Sequence, residues 1–244
     1  MLVGSFLASV LPRIACAALP RSCVLCGTRL AAGGLCGGCL ADLPRIADAC
    51  PRCAVPVPAL PPGVPCGACQ RRPPPFAAAR AVLEYAFPVD AALKALKFHR
   101  RLHYAPAFAA LLAPAARESF PAADALVPVP LHHARHAWRG FNQARELARP
   151  LARSLGLPLV GRVRRVRGTR PQAGLSARER RRNLAHAFAV TGRLPCRRPL
   201  IVDDVMTTGE TCRRLAQALL AAGAEEVGVL VVARAVQPAT GRNV

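Results

Sequence analysis

Apolar residues along this chain follow two rhythms. From about residue 81 onward, short apolar runs alternate with stretches in which apolar positions recur every three or four residues. Read by that periodicity, residues 81–85 predict a strand, and residues 91–98 and 105–116 predict helices. A strand over 125–130, a helix over 142–155, a strand over 199–203, a helix over 210–222 and a strand over 227–233 complete the series. Such alternation predicts an α/β domain with a largely parallel sheet and helices on both faces. In such sheets the ligand site lies at the carboxyl ends of the strands. The first 75 residues have a different pattern. Val3, Phe6, Leu7, Val10, Leu11 and Ile14 fall at helical spacing and predict a helix packed on its own protein. Prolines are then dense from 51 to 75, and Pro73-Pro74-Pro75 reads as a stiff linker. The expected domains are therefore 1–75 and 76–244.

Composition adds two exclusions. Hydrophobic residues make up 52% of the 244, enough to bury a core and to exclude general disorder. No apolar run reaches the roughly 18 residues of a membrane-spanning helix. The best attempt, residues 1–20, is broken by Pro12 and Arg13 and lacks the basic start of a signal peptide. The expectation is a soluble, cytoplasmic protein without a membrane span.

Eight of the 11 cysteines form four CxxC pairs: Cys23/Cys26, Cys36/Cys39, Cys50/Cys53 and Cys66/Cys69. Disulfides would require export, for which no signal is visible. Two residues between cysteines suit a tight turn that aims both sulfurs at one ion, and four thiolates complete a tetrahedral zinc site. Glycines beside the pairs, as in Cys36-Gly37-Gly38-Cys39, supply the small residues such turns use. Sequential pairing gives one site from Cys23, Cys26, Cys36 and Cys39 and a second from Cys50, Cys53, Cys66 and Cys69; the spacing admits an interleaved pairing as well. With so little apolar material between the knuckles, about two structural Zn²⁺ ions would supply most of this domain's folding energy.

One strand end carries distinctive chemistry. The run 199–211 is an apolar strand that delivers Asp203 and Asp204, then a short turn of Thr207, Thr208 and Gly209 that opens a helix at Glu210 and Thr211. Backbone N–H groups and hydroxyls at a helix N-terminus make a phosphate cradle. Adjacent carboxylates can accept hydrogen bonds from the vicinal hydroxyls of a sugar on that phosphate. A sugar phosphate is the ligand this chemistry asks for.

At these residues the chain resembles a known family. Val202-Asp203-Asp204 with Thr207-Thr208-Gly209-Glu210-Thr211 resembles the phosphoribosyl-pyrophosphate (PRPP) signature of type I phosphoribosyltransferases. Val127-Pro128-Val129-Pro130-Leu131, Arg139-Gly140-Phe141-Asn142-Gln143-Ala144, Gln172-Ala173-Gly174-Leu175-Ser176 and Arg181-Arg182-Asn183 are similar to segments of the ComF family. That family also carries cysteine knuckles ahead of such a domain, and the resemblance runs from about residue 23 to 236. It implies a type I phosphoribosyltransferase-like α/β domain preceded by a small zinc-ribbon domain. Members are associated with competence for DNA uptake or named as phosphoribosyltransferases. Carried over, Thr207, Thr208, Gly209 and Thr211 hold the 5′-phosphate of PRPP, and Asp203 and Asp204 meet the ribose hydroxyls. Arg135 and Arg139, after the strand at 125–130, serve the pyrophosphate. Mg²⁺ accompanies PRPP in such enzymes, bridging diphosphate and ribose with few protein ligands. Glu210 departs from the pattern, because a small residue is more usual there and a carboxylate aimed inward would repel phosphate.

Charge is the remaining signal. Lys and Arg total 34 against 13 Asp and Glu, a formal charge of +21, and only Lys94 and Lys97 are lysines. Residues 131–182 hold fourteen arginines against Glu146 and Glu179. Within them, residues 168–174 read as a mobile loop, and Ser176-Ala177-Arg178-Glu179 is a capping box that restarts a helix. In phosphoribosyltransferases a flexible hood covers the reaction, and the resemblance suits this loop, with Gln172, Leu175, Arg178 and Arg182, to that role; Arg178 and Arg182, one turn apart, are expected to share a phosphate-facing surface. His132, His133 and His136 have no carboxylate partner in their segment and read as solvated residues or phosphate donors. Coding bias explains arginine over lysine but not this local excess over acids, which suits a nucleic-acid backbone. Arg164, Arg165 and Arg167 are placed outside the PRPP pocket. Phe141, Trp138 and Phe188 are the nearby aromatic faces, thin support for base stacking. The expected function is handling of single-stranded DNA in uptake, on a PRPP-binding fold, with a helicase or translocase as a candidate partner. The alternative is an active phosphoribosyltransferase acting on an acceptor that no motif identifies.

Overall fold

The computed structural model describes residues 21–131, 139–166 and 187–235. The predicted helix near the N-terminus, Arg135, Trp138, the three histidines at 132–136, and the loop carrying Gln172, Leu175, Arg178 and Arg182 lie outside them. The chain forms two compact units, Met1–Asp42 and Leu43–Val244.

In the first unit, β1 (Arg21–Ser22) pairs antiparallel with β2 (Arg29–Leu30), and α1 (Gly37–Ala41) follows. Gly27 closes the first knuckle at φ 78°, a conformation that favours glycine. Cys36 caps α1, its sulfur accepting the Cys39 N–H. No residue of α1 is buried. Among the described residues of this unit, only Cys23 is buried.

The second unit opens with the other two knuckles, the second of which begins α2 (Gly67–Arg71). Pro73, Pro74 and Pro75 lie inside this unit, between α2 and the sheet. The sheet has four parallel strands in the order β3 (Ala78–Glu84), β8 (Gly228–Arg234), β7 (Pro199–Met206), β4 (Ala125–Pro128). Every residue of β8 is buried, as expected for a central parallel strand covered on both faces. After β3 come α3 (Val89–Phe98) and α4 (Tyr104–Ser119); α5 (Gln143–Leu155) follows β4, and α6 (Glu210–Ala221) joins β7 to β8. Ile201, Val229 and Val231 share a buried cluster with Cys212, Leu215 and Leu219 of α6. Gly228 shows why the sheet tolerates close packing: a Cβ there would come within 2.7 Å of the Phe120 ring and 2.9 Å of Leu200. The parallel α/β architecture read from the sequence is the one observed, with the strands and helices expected over 81–155 and 199–233 present; the helix expected to restart at Ser176 lies outside the described residues.

Two features were not foreseen. β5 (Val163–Arg165) pairs antiparallel with β6 (Phe188–Val190) as a separate two-stranded ribbon. The Cys50/Cys53 knuckle is also part of the sheet's own core. Ala54, 1% exposed, belongs to the same buried cluster as β7, β8 and α6, and the Ala79 N–H donates to the Pro51 carbonyl.

Candidate ribose-phosphate site and metal centres

The strand β7 is buried up to Val202, then its polar residues arrive at the carboxyl edge of the sheet. Asp203 and Asp204 lie side by side and behave differently. Asp204 is 2% exposed and forms an ion pair with Lys97 of α3. Asp203 is half-buried, accepts the Asp204 N–H at 2.9 Å and has no such partner among the described residues. Burial, and next the neighbouring Asp204 charge, push the Asp203 carboxyl well above the usual range, with Lys97 pulling weakly the other way. Behind it the buried Cys212 thiol is raised by burial and then by Asp203.

The turn after β7 takes the shape its sequence demands. Gly209 sits at φ 76° and caps α6 without a side-chain hydrogen bond. A residue with a Cβ would be strained there. Thr207 and Thr208 are exposed, and Thr211 faces the cleft. Glu210 does not aim inward: its carboxylate accepts from Nε of Arg214 at 2.7 Å, one helical turn on. The departure from the family pattern is thus directed along the surface of α6.

Asp203, Asp204 and Thr211 line a cleft of about 630 Å³ at the carboxyl ends of β3, β4 and β7. Its other wall carries four cations, Lys94, Lys97, Arg139 and Arg165, with His99 beside them. The segment Arg139-Gly140-Phe141-Asn142-Gln143 builds part of that wall. Gly140 turns at φ 74°, Phe141 buries, and the Asn142 side chain accepts the Ala144 N–H to cap α5 while donating to the Val129 carbonyl at 3.0 Å. Arg139 donates to Gln143 at 3.3 Å and lies 4.8 Å from the centre of the Phe98 ring.

Of the expected site residues, the structure brings Asp203, Asp204, Thr211 and Arg139 together around one cleft, whereas Thr207, Thr208 and Gly209 are not among the residues that line it. Arg165 is a correction. It was placed outside the pocket, yet β5 presents it to the cleft, because pairing with β6 fixes the ribbon's register and seats Arg165 5.7 Å from the Phe188 ring. The aromatic faces are corrected too, since Phe141 and Phe188 are buried and the rings that line the cleft are Tyr85, half-buried, and Phe98, 53% exposed. Lys97 and Phe98 were missed. Their signal was present: the only two lysines among 34 basic residues stand three apart on one helix.

The cysteines assemble in sequential pairs. Cys23, Cys26, Cys36 and Cys39 form one tetrad and Cys50, Cys53, Cys66 and Cys69 the other, ligand atoms within 4.8 Å of one another in each. The donor sets suit tetrahedral zinc. The Cys36 N–H donates to the Cys23 sulfur at 3.4 Å and the Cys66 N–H to the Cys50 sulfur at 3.2 Å, bonds that favour thiolate. Burial opposes ionisation of Cys23, but N–H groups of Cys26, Cys36 and Leu25 bring it to about 6. Cys50 is brought to about 7 against the same opposition. Within the tetrads Cys39 is pushed up to about 12 by its sulfur neighbours, Cys36 first, and Cys53 to about 11 by burial first. Four crowded thiols cannot all ionise without a cation between them. About two zinc ions meet that need.

Comparison with known proteins agrees with this geometry. Residues 14–70 match the double zinc ribbon domain and residues 139–241 the phosphoribosyl transferase domain. The chain is 40% identical to the DNA utilization protein YhgH of Salmonella typhi and 39% identical to that of Escherichia coli K12, over 88% of this chain and 98% of each relative. It is 33% identical to competence protein F of Haemophilus influenzae, over 87% of this chain and 96% of that one. Among solved structures, a purine phosphoribosyltransferase from Pyrococcus horikoshii Ot3 is 22% identical over 56% of this chain and 89% of its own, with a TM-score of 0.33, too loose to carry an inference. The extent and identity of the curated relatives, with both domains in order, place the chain in the ComF family.

Proposed function

We propose that the cleft binds a ribose 5-phosphate group, as PRPP or as the phosphorylated end of a nucleotide, and that the protein uses it in handling single-stranded DNA during uptake or utilization. The observation that carries this reading is the shared cleft: an acid pair, Thr211 at the opening of α6 and a wall of four cationic side chains meet at the strand ends. The 207–211 turn takes the phosphate. Asp203 and Asp204 take the ribose hydroxyls, the second ion-paired with Lys97. Arg139, with Arg135, takes the diphosphate of PRPP, which would arrive with Mg²⁺. The hood residues Gln172, Leu175, Arg178 and Arg182 belong to the same reading. DNA handling is supported by the names of the relatives, by the +21 charge, and by Phe98, an exposed ring among Lys97, His99, Arg100 and Arg101. Basic residues interleaved with an exposed aromatic suit a strand whose bases stack while its phosphates pair.

A second reading, transfer of phosphoribose from PRPP to an acceptor, is favoured by the cations facing the acid pair, which suit a departing pyrophosphate. Direct titration decides. Calorimetry with PRPP and Mg²⁺, fluorescence anisotropy with a single-stranded oligonucleotide, and an assay for released pyrophosphate are run on one preparation. The proposal expects binding of both ligands; absence of PRPP and ribose 5-phosphate binding would remove the reading of the cleft. Pyrophosphate release over a panel of bases would add the transferase activity.

A further inference from the structure

The last residue of β8 is an arginine at the end of a wholly buried strand. Arg234 is 7% exposed. A guanidinium has five N–H donors and no acceptor, so a buried one must find oxygens. Among the described residues, the acceptors reached by its Nε and Nη1 are all backbone carbonyls. Nε donates to Cys53 at 3.1 Å, and Nη1 donates to Met206 at 2.9 Å, to Thr207, and to Ala235 at 2.8 Å. One side chain therefore spans the Cys50/Cys53 knuckle and the point where β7 becomes the phosphate turn.

The consequence for the turn follows from the planar peptide. In a trans peptide the carbonyl and the next N–H point in opposite directions. Arg234 draws the carbonyls of Met206 and Thr207 toward itself, so it aims the N–H groups of Thr207 and Thr208 away from itself. Those are donors of the proposed cradle. The consequence at the other end is positional. Cys53 is one of four sulfur ligands, and the metal that fixes its turn also fixes the carbonyl that receives Nε. No carboxylate among the described residues pairs with Arg234. A zinc ion held by four thiolates would carry a net negative charge beside the guanidinium.

We propose that Arg234 is a positioning residue that ties metal occupancy of the second tetrad to the order of the 207–211 turn and hence to its affinity for phosphate. The affinity half rests on the ribose-phosphate reading above; the link between tetrad and turn does not. Coupling of this kind is reciprocal, so a ligand on the turn slows metal loss from the second tetrad by the factor that the metal adds to ligand affinity.

The test uses the full-length zinc-loaded chain, wild type beside Arg234→Gln and Arg234→Lys. Hydrogen exchange of the peptide covering 203–212 reads the turn, release of zinc to a chromogenic chelator reads the tetrads, and ribose 5-phosphate with Mg²⁺ is the probe. In Arg234→Gln, with both zinc ions still bound, exchange at 207–211 is expected to rise about tenfold or more, the loss of several charged hydrogen bonds. Arg234→Lys restores part of that protection. In wild type, the probe slows one of two zinc-release phases and leaves the other unchanged; in Arg234→Gln it slows neither. Wild-type protein sampled during chelation supplies an arm that needs no variant, because protection at 207–211 falls with the second tetrad's zinc. Unchanged exchange at 207–211, either in folded Arg234→Gln or in wild type that has lost that zinc, overturns the proposal. If the probe fails to bind wild type, the reading of the cleft falls, while the exchange measurements still decide the link.

Discussion

At the scale of single residues, the acid pair is two different groups. Asp204 is ion-paired with Lys97, while Asp203 is kept from ionising by burial first and then by the neighbouring Asp204 charge. Asp203 thus keeps a proton in the folded chain that the unfolded chain has already released. The sign follows: stability falls as pH rises from about 4, the ordinary aspartate range, through the folded pKa, and above it the full cost is present. Asp203→Asn removes that cost. The substituted, ligand-free protein is expected to melt a few degrees higher than wild type at about pH 8, a gain that fades toward pH 4. Ribose 5-phosphate should stabilise it less than wild type. Melts at three pH values with and without ligand make the measurement, and an unchanged melting temperature at every pH would show that Asp203 carries no such strain. A residue that costs stability and serves binding is what a ligand site leads one to expect.

At the scale of elements, the turn into α6 offers a sharp test. Gly209→Ala forces a Cβ into φ 76°, a cost of roughly 1–2 kcal/mol, and disturbs the N–H groups that start the helix. Stability should drop by about that amount and ribose 5-phosphate binding should be lost; equal affinity in calorimetry would place the phosphate elsewhere. The zinc ribbons differ in what else supports them. Residues 21–42 have two-residue strands and a five-residue helix with nothing buried, whereas the Cys50/Cys53 knuckle sends Ala54 into the sheet's core. Metal analysis should find about two zinc per chain. Chelation should open residues 21–42 to protease while β3, β7 and β8 remain protected; no metal, with disulfides in its place, would refute both centres. Much of this was legible beforehand. Buried strands such as β7 and β8 announce themselves by uninterrupted apolar runs, and Asp203-Asp204 with the Thr-Gly turn announces a phosphate. What escaped reading depends on partners distant in sequence. β5 is three residues long, two of them arginine, and is a strand only because β6 pairs with it. Lys97 becomes a site residue only when α3 is laid across the end of β7, and Arg234 only when Cys53 and Met206 are brought together.

At the scale of the whole molecule, the question is what the +21 charge serves. A bound PRPP needs a few cations, and the cleft already supplies four. Arg162 and Arg164 are exposed on the ribbon segment that also places Arg165 in the cleft, so one element offers both a pocket-facing and a solvent-facing cation. A surface that tracks a nucleic-acid backbone releases counterions, and affinity for a single strand falls with salt by a log–log slope of about −0.7 per phosphate contacted. Replacing Arg162 and Arg164 by alanine is expected to flatten that slope by about one to two contacts and to leave PRPP binding unchanged. Arg165→Ala is expected to weaken both ligands. Phe98→Ala removes a stacking surface rather than a charge, so it should lower oligonucleotide affinity about tenfold at every salt concentration while keeping the slope. Phe98→Tyr should restore that affinity. Anisotropy titrations of the four variants at three salt concentrations separate these terms. A double arginine variant with an unchanged slope would move the strand off this ribbon. A slope that changes with Phe98 would mean that the ring positions phosphates rather than bases.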